Sequence, residues 1–256
     1  MIGIVDEGAA EKKAFRPTLP IYGAMGFWTV LYGLAVIVPL LVSMLLTRRA
    51  RRRFCRAVIC RYGRLMIYVA VWPWVRVKVL NRKEFHNRAP GIWVFNHRSA
   101  SDPFLMAACG FDNLAQAVNG WPMKLPFFGF FARRGGYLDI TNMSYVELLT
   151  AMRELVAENT HLMAFPEGTR SGSRHMNQFR SGVFKLAMDL RLPVYVCCIT
   201  GNENLPDRSF RFGRGTIRMA FLREFPPEEV AAAGNAFLLK NAVRKCVMQG
   251  MDALEN

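Results

Sequence analysis

Acidic residues are scarce in this 256-residue chain: 19 Asp and Glu stand against 34 Lys and Arg, a formal net charge of +15. Such an imbalance calls for an anionic partner, either nucleic acid or a membrane surface. Helix-turn-helix, zinc and RNA-recognition motifs are missing, so nucleic acid is not expected. Histidine is rarer still. His86, His97, His161 and His175 do not cluster in sequence, and the six cysteines form no Cys-x2-Cys pair, so no metal is expected. Cys55 and Cys60 lie five apart in a basic stretch and Cys197-Cys198 fall in an apolar run, which reads as free thiols in a reducing compartment. Internal repeats and low-complexity tracts are absent. No serine or cysteine nucleophile motif is present, so a reaction here proceeds most simply by direct attack of the substrate's own hydroxyl.

Charge is also absent from residues 21–46, which are mostly apolar. A helix rising about 1.5 Å per residue would cover a hydrocarbon core of ~30 Å over that length. Pro39 and Gly23, Gly26 and Gly33 leave a bent or re-entrant pair of helices as the alternative. Arg48, Arg49, Arg51, Arg52, Arg53, Arg56, Arg61 and Arg64 follow at once, whereas the charges of residues 1–20 cancel. This asymmetry places the C-terminal part in the cytoplasm, at the inner membrane in a bacterium. It also explains the net charge through anionic headgroups. A cleaved leader is not expected, because arginines replace a small-residue cleavage site. A second apolar stretch, residues 65–75 with Trp72, Pro73 and Trp74, reads as an interfacial segment or a buried core helix. The run Phe127-Phe128-Gly129-Phe130-Phe131 could wall an acyl-chain groove, touch a bilayer or pack in the core.

Two short motifs carry the chemistry. Gly91-Ile92-Trp93-Val94-Phe95 reads as a buried strand, ending at Asn96-His97-Arg98-Ser99-Ala100-Ser101-Asp102. Pro103 suits a first helical position, with Asp102 at the N-cap. His97 then lies on a strand-to-helix loop, where α/β folds place their sites. Asp102 would fix the imidazole tautomer, and the other ring nitrogen could take a proton from a hydroxyl. The plain alternative is a loop histidine beside an N-cap. Residues 160–165 form a second strand, followed by Pro166-Glu167-Gly168-Thr169-Arg170-Ser171. Gly168 permits close approach of a ligand to the backbone, Thr169 adds a hydroxyl, and Arg170 offers a fork to phosphate. Glu167 could hold the arginine or accept from a substrate hydroxyl. The plain alternative is a surface turn with an ion pair.

These blocks resemble those of the glycerolipid acyltransferases, the 1-acylglycerol-3-phosphate acyltransferase family. Asn96, His97 and Asp102 match its first block, and Phe165 to Ser171 match its third. Leu192-Pro193-Val194-Tyr195-Val196 matches the fourth, and Phe179-Arg180-Ser181-Gly182 resembles its Phe-Lys-x-Gly helix start. The second block departs: Gly136-Tyr137-Leu138-Asp139-Ile140-Thr141-Asn142 ends on Asn142 where an arginine is expected. Lys124, Arg133 and Arg134 could replace that charge, and the departure opens the door to a specialised acceptor. The resemblance implies acyl transfer from a thioester, acyl-CoA or acyl carrier protein, to a lysophospholipid hydroxyl, with no further cofactor. It implies His97 as base and Asp102 as its orienting partner. It also implies that Lys124, Gly168, Thr169 and Arg170 bind the acceptor and that Glu167 orders it. A non-catalytic basic membrane adaptor is the competing class.

Strands are expected at 75–80, 114–118, 137–140, 192–199 and 215–222, and helices at 144–158, 182–190 and 230–254. Their alternation predicts an α/β fold, a mainly parallel mixed sheet flanked by helices, as the resemblance also implies. An N-terminal membrane-anchoring segment is expected over residues 1–80 and a catalytic domain over 81–256, with residues 81–90 as a linker.

Overall fold

The computed structural model describes residues 17–255; the charged residues 1–16 weighed above lie outside them. Helix α1 (Thr18–Ser43) and helix α2 (Arg48–Leu65) form a hairpin. The other elements follow in the order β1 (Val75–Leu80), β2 (Ile92–Val94), α3 (Asp102–Leu105), β3 (Leu114–Val118), α4 (Pro126–Gly135), β4 (Leu138–Asp139), α5 (Tyr145–Ala157), β5 (His161–Ala164), α6 (Gly182–Asp189), β6 (Val194–Thr200), β7 (Gly215–Phe225), α7 (Pro227–Ala232) and α8 (Ala236–Glu255).

The strands make one seven-stranded sheet in the order β1-β7-β6-β2-β5-β3-β4. Five run parallel, from β6 to β4. β7 pairs antiparallel with β6 and parallel with β1, so the outer two strands run the opposite way. Side chains of a strand alternate between faces. Ile92 and Val94 therefore enter one core with Met152, Phe184 and Val243, while Trp93 and Phe95 enter the other with Met106, Phe111 and Tyr195. Central strands with two buried faces explain why β2 and β6 read as unbroken apolar runs.

The expected division at residue 80 does not coincide with the packing. β1 pairs along its whole length with β7, and the aliphatic side of α2 buries Val58 and Ile59 in the same core as α4. Residues 48–80 thus belong to the sheet domain. The expected linker contains a 3-10 turn, Arg82–Phe85, whose Phe85 is buried and stacks on Trp93. The single C-terminal helix is two, α7 and α8, separated at Gly234, whose φ of +80° helical backbone does not allow.

Helix α1 is long and apolar enough to cross a membrane. One side docks on α2, where Thr29 and Tyr62 hydroxyls meet at 2.8 Å and Tyr32 Oη donates to Val58 O at 2.9 Å. The other side leaves Leu34, Val38, Leu41 and Val42 exposed. The stretch 65–75 continues α2 as a π-turn that buries Met66, Ile67 and Ala70 while Tyr68 and Trp72 face outward. Of the aromatic run, Phe128 and Phe131 are buried, and Phe127 packs on Tyr32 of α1.

Candidate active site

β2 leaves the sheet through Asn96, which is fully buried. Its Nδ2 donates to Ile199 O at 2.9 Å and its Oδ1 accepts from Ile199 N–H at 2.7 Å. This two-way clamp onto β6 holds the next residue, His97, at the C-terminal edge of the sheet. His97 Nδ1 lies 2.8 Å from Asp102 Oδ2. That oxygen also accepts the N–H of Arg98 at 2.8 Å and of Ser99 at 2.9 Å, and Oδ1 accepts from Asn202 Nδ2. Asp102 is wholly buried, yet four donors satisfy it. An acceptor surrounded by donors makes Nδ1 the protonated ring nitrogen and leaves Nε2 as the acceptor. Phe165 stacks on the ring with centroids 4.5 Å apart, so both the plane and the direction of the imidazole are set.

The N-cap expected of Asp102 is not formed. Asp102 is itself the first residue of α3, a single turn, and its carboxylate folds back over residues 97–99. Asn202, which sequence reading missed, completes the carboxylate's coordination. Its only sequence signal is an Asn in the Gly201-Asn202 turn after an apolar strand, and that is too common to single it out.

The second motif is joined to the first through backbone. Ser171 N–H donates to His97 O at 2.8 Å and Gly172 N–H to Arg98 O at 3.0 Å. Glu167 corrects the sequence expectation. It is 3% exposed, and its oxygens accept from His97 N–H at 2.6 Å and Asn177 N–H at 2.8 Å. Both oxygens serve backbone amides, so the carboxylate braces one motif against the other and forms no ion pair with Arg170. Burial pushes this carboxyl up to about 7, against the two amides that pull it down.

His97, Gly168, Thr169 and Arg170 line one cleft of about 310 Å³. Arg170 is half-buried, with Nη2 donating to Arg208 O at 3.2 Å and its guanidinium over the Phe210 ring. Gly168 has φ +74°, and a Cβ there would come within 2.8 Å of Arg180 Nε. Arg208 in turn donates to Ser171 O. Arg170, Arg180 and Arg208 thus gather around one glycine-bearing loop. The Phe179-Arg180 block hinted at Arg180; nothing in the sequence marked Arg208. Lys124 is exposed and does not line the cleft, although Trp121 and Pro122 beside it do. Asn142 is tied to Asp139 by a 2.8 Å bond, and Arg133 and Arg134 face a different cavity. Three residues, Ala100, Trp121 and Phe210, separate the cleft from an apolar cavity of about 200 Å³ walled by Met25, Ile67 and Phe104.

No cluster able to hold a metal ion occurs among the described residues.

Residues 76–200, which contain both motifs, match the Acyltransferase family. The chain is 25% identical over 185 residues to the 1-acyl-sn-glycerol-3-phosphate acyltransferase of Limnanthes alba, covering 62% of this chain and 63% of that protein. It is 23% identical over 164 residues to the human 1-acyl-sn-glycerol-3-phosphate acyltransferase beta, covering 62% and 59%. The chain thus spans somewhat less than two thirds of these relatives' length. The crystal structure of the 1-acyl-sn-glycerophosphate (LPA) acyltransferase PlsC from Thermotoga maritima superposes with a TM-score of 0.76 at 21% identity, over 93% of this chain and 94% of that one, and shares its fold. The family match and these relatives together identify residues 76–200 as an acyltransferase domain similar to those of the 1-acyl-sn-glycerol-3-phosphate acyltransferases.

Proposed function

We propose that this chain is a membrane-bound O-acyltransferase. It would move a fatty acyl group from a thioester, acyl-CoA or acyl carrier protein, to a hydroxyl of a lysophospholipid such as 1-acylglycerol-3-phosphate. The observation that carries the reading is the opposition, across one cleft, of the His97–Asp102 pair and the Gly168–Arg170 loop. His97 Nε2 takes the acceptor's hydroxyl proton as its oxygen attacks the thioester carbonyl carbon. The C–S bond then breaks, and the thiolate departs and is protonated by the imidazolium. Asp102 stabilises the positive ring through the Nδ1 bond. Arg170, Thr169 and the backbone at Gly168 hold the acceptor phosphate, with Arg180 and Arg208 adding positive field. The apolar cavity behind Trp121 and Phe210 suits a hydrocarbon chain. Helix α1 supplies the membrane attachment, with the sheet domain on the cytoplasmic side as the arginines of α2 favour.

Asn142 supports a second reading, the same chemistry on a specialised acceptor. Its amide bonds Asp139, and none of Lys124, Arg133 and Arg134 lines the cleft in its stead. Thiol release from acyl-CoA by the detergent-purified chain, with lysophosphatidate or phosphate-free acceptors, separates the two. Release that depends on lysophosphatidate and vanishes in His97→Ala supports the first reading. Release that depends only on another acceptor supports the second. Release unchanged in His97→Ala removes the histidine from the mechanism.

A further inference from the structure

A larger cavity lies at the far edge of the sheet. Its walls come from the first turns of α2, the end of α4, the start of β4 and the exposed face of α5, and it measures about 690 Å³. β4 is three strands from β2, or roughly 14 Å at the usual spacing between strands. The cavity shares no lining residue with the His97 cleft.

Five arginines, Arg48, Arg51, Arg52, Arg133 and Arg134, line it against one carboxylate, Glu154. Arg52 is 9% exposed, and its Nε, itself buried, has no hydrogen-bond partner. Its Nη1 reaches Glu154 at 2.7 Å and Glu158 at 3.0 Å, but Glu158 also pairs with Arg56. Arg51 has no carboxylate partner among the described residues. The first turn of α2 carries no acidic residue, so three of these arginines crowd the positive end of an 18-residue helix. Gly136, at φ +77°, keeps the floor open, since a Cβ there would lie 2.1 Å from Arg52 Nη2. The protein thus concentrates cations where its own charges leave them unneutralised.

What stands beside the cavity says what kind of anion. Met44 lines it, and the end of α1 and the turn that follows expose Leu41, Val42, Leu45 and Leu46. A phosphate seated among the arginines would have hydrocarbon surface next to it, an arrangement that suits an amphiphile better than a soluble ion. We infer that this cavity is a second, non-catalytic site that binds the phosphate of an anionic phospholipid headgroup in the bilayer, orienting the domain on anionic membrane. The inference rests on the membrane reading of α1 given above.

The test uses the full chain and vesicles of phosphatidylcholine alone or with a minor fraction of phosphatidylglycerol. Arg51→Gln with Arg134→Gln removes two cavity charges. Arg49→Gln with Arg53→Gln removes two from the opposite side of α2, where they line another cavity. Retained melting temperatures show that both pairs fold. The cavity pair should lose the preference for phosphatidylglycerol by about thirtyfold, and the control pair several-fold less. Equal losses would reduce the effect to diffuse charge and overturn the inference. Release of the wild-type chain by inorganic phosphate, at matched ionic strength in chloride, would assign the cavity to a soluble anion and overturn it too. A wild-type chain that binds both kinds of vesicle equally sinks the inference alone; one that binds neither sinks the membrane reading with it.

Discussion

The two ends of the parallel sheet treat charge in opposite ways. At the C-terminal end, around β2 and β5, the buried charged groups are matched. Asp102 has four donors, Glu167 has two amides, and Arg98, 1% exposed, meets two carboxylates, Glu203 and Glu255, and the Arg174 carbonyl, with its Nε left without a partner. At the other end, α2 holds one arginine saturated in the same manner. Arg56 donates to Asn113 at 2.7 Å, Gly135 O at 2.7 Å and Glu158 at 2.9 Å. One turn away, Arg51 has no carboxylate partner among the described residues, and Arg52 shares Glu154 with Arg48 and Glu158 with Arg56. A cation consumed by internal bonds fixes geometry, whereas one left over attracts a ligand. The same residue type does both in one helix, and only its neighbours tell which.

Removing a consumed cation should be costliest. Arg56→Ala leaves the Gly135 carbonyl and Glu158 Oε2 without the donor that Arg56 supplies and should lower stability by about 3–5 kcal/mol, read by denaturant unfolding. A loss below 1 kcal/mol would show that water reaches this site and would blur the contrast. His97→Ala should reduce acyl transfer by about 10²-fold or more in a chain that still unfolds cooperatively, read by thiol release from acyl-CoA beside a thermal melt. Asn202→Ala should cost about 1–3 kcal/mol, because it strips a donor from a wholly buried carboxylate. If it acts through Asp102, kcat falls with it while the thioester KM stays.

Glu167 sharpens the comparison through pH. With its carboxyl raised from 4.5 to about 7, the folded chain holds a proton across that window that the unfolded chain has released. Its contribution to stability is therefore greatest below 4.5 and is lost as pH rises through 7. Wild-type stability relative to Glu167→Gln should decline by up to roughly 1.4 kcal/mol per pH unit in that range. A difference flat with pH would mean that the two amides outweigh burial. The smallest effect is expected of Asn142→Arg, which should lower the KM for lysophosphatidate several-fold if the cleft lacks a cation there. No change would show that Arg180 and Arg208 already supply it.

Local pattern sufficed for much of this. The apolar runs at 92–94 and 194–200, the break at Pro166 and the Ser144-x-x-Glu147 start of α5 each depend on neighbours close in the chain, and each produced the element expected. His97 and Asp102 were legible because five residues of chain leave little freedom to part them. Asn202 and Arg208 were not, because each reaches the site across a gap of about a hundred or about forty residues that only sheet order closes. Glu167 shows the limit most sharply. Its motif was plain in the sequence, but the direction of its carboxylate was decided by two amide donors that folding brought beneath it. The extent of the sheet domain had the same origin: Val75–Leu80 read correctly as a strand, but only its pairing with β7, some 140 residues later, drew it into the sheet. Spacing along the chain determined the elements and the dyad. Burial and long-range pairing decided which charges were spent and which remained for a ligand.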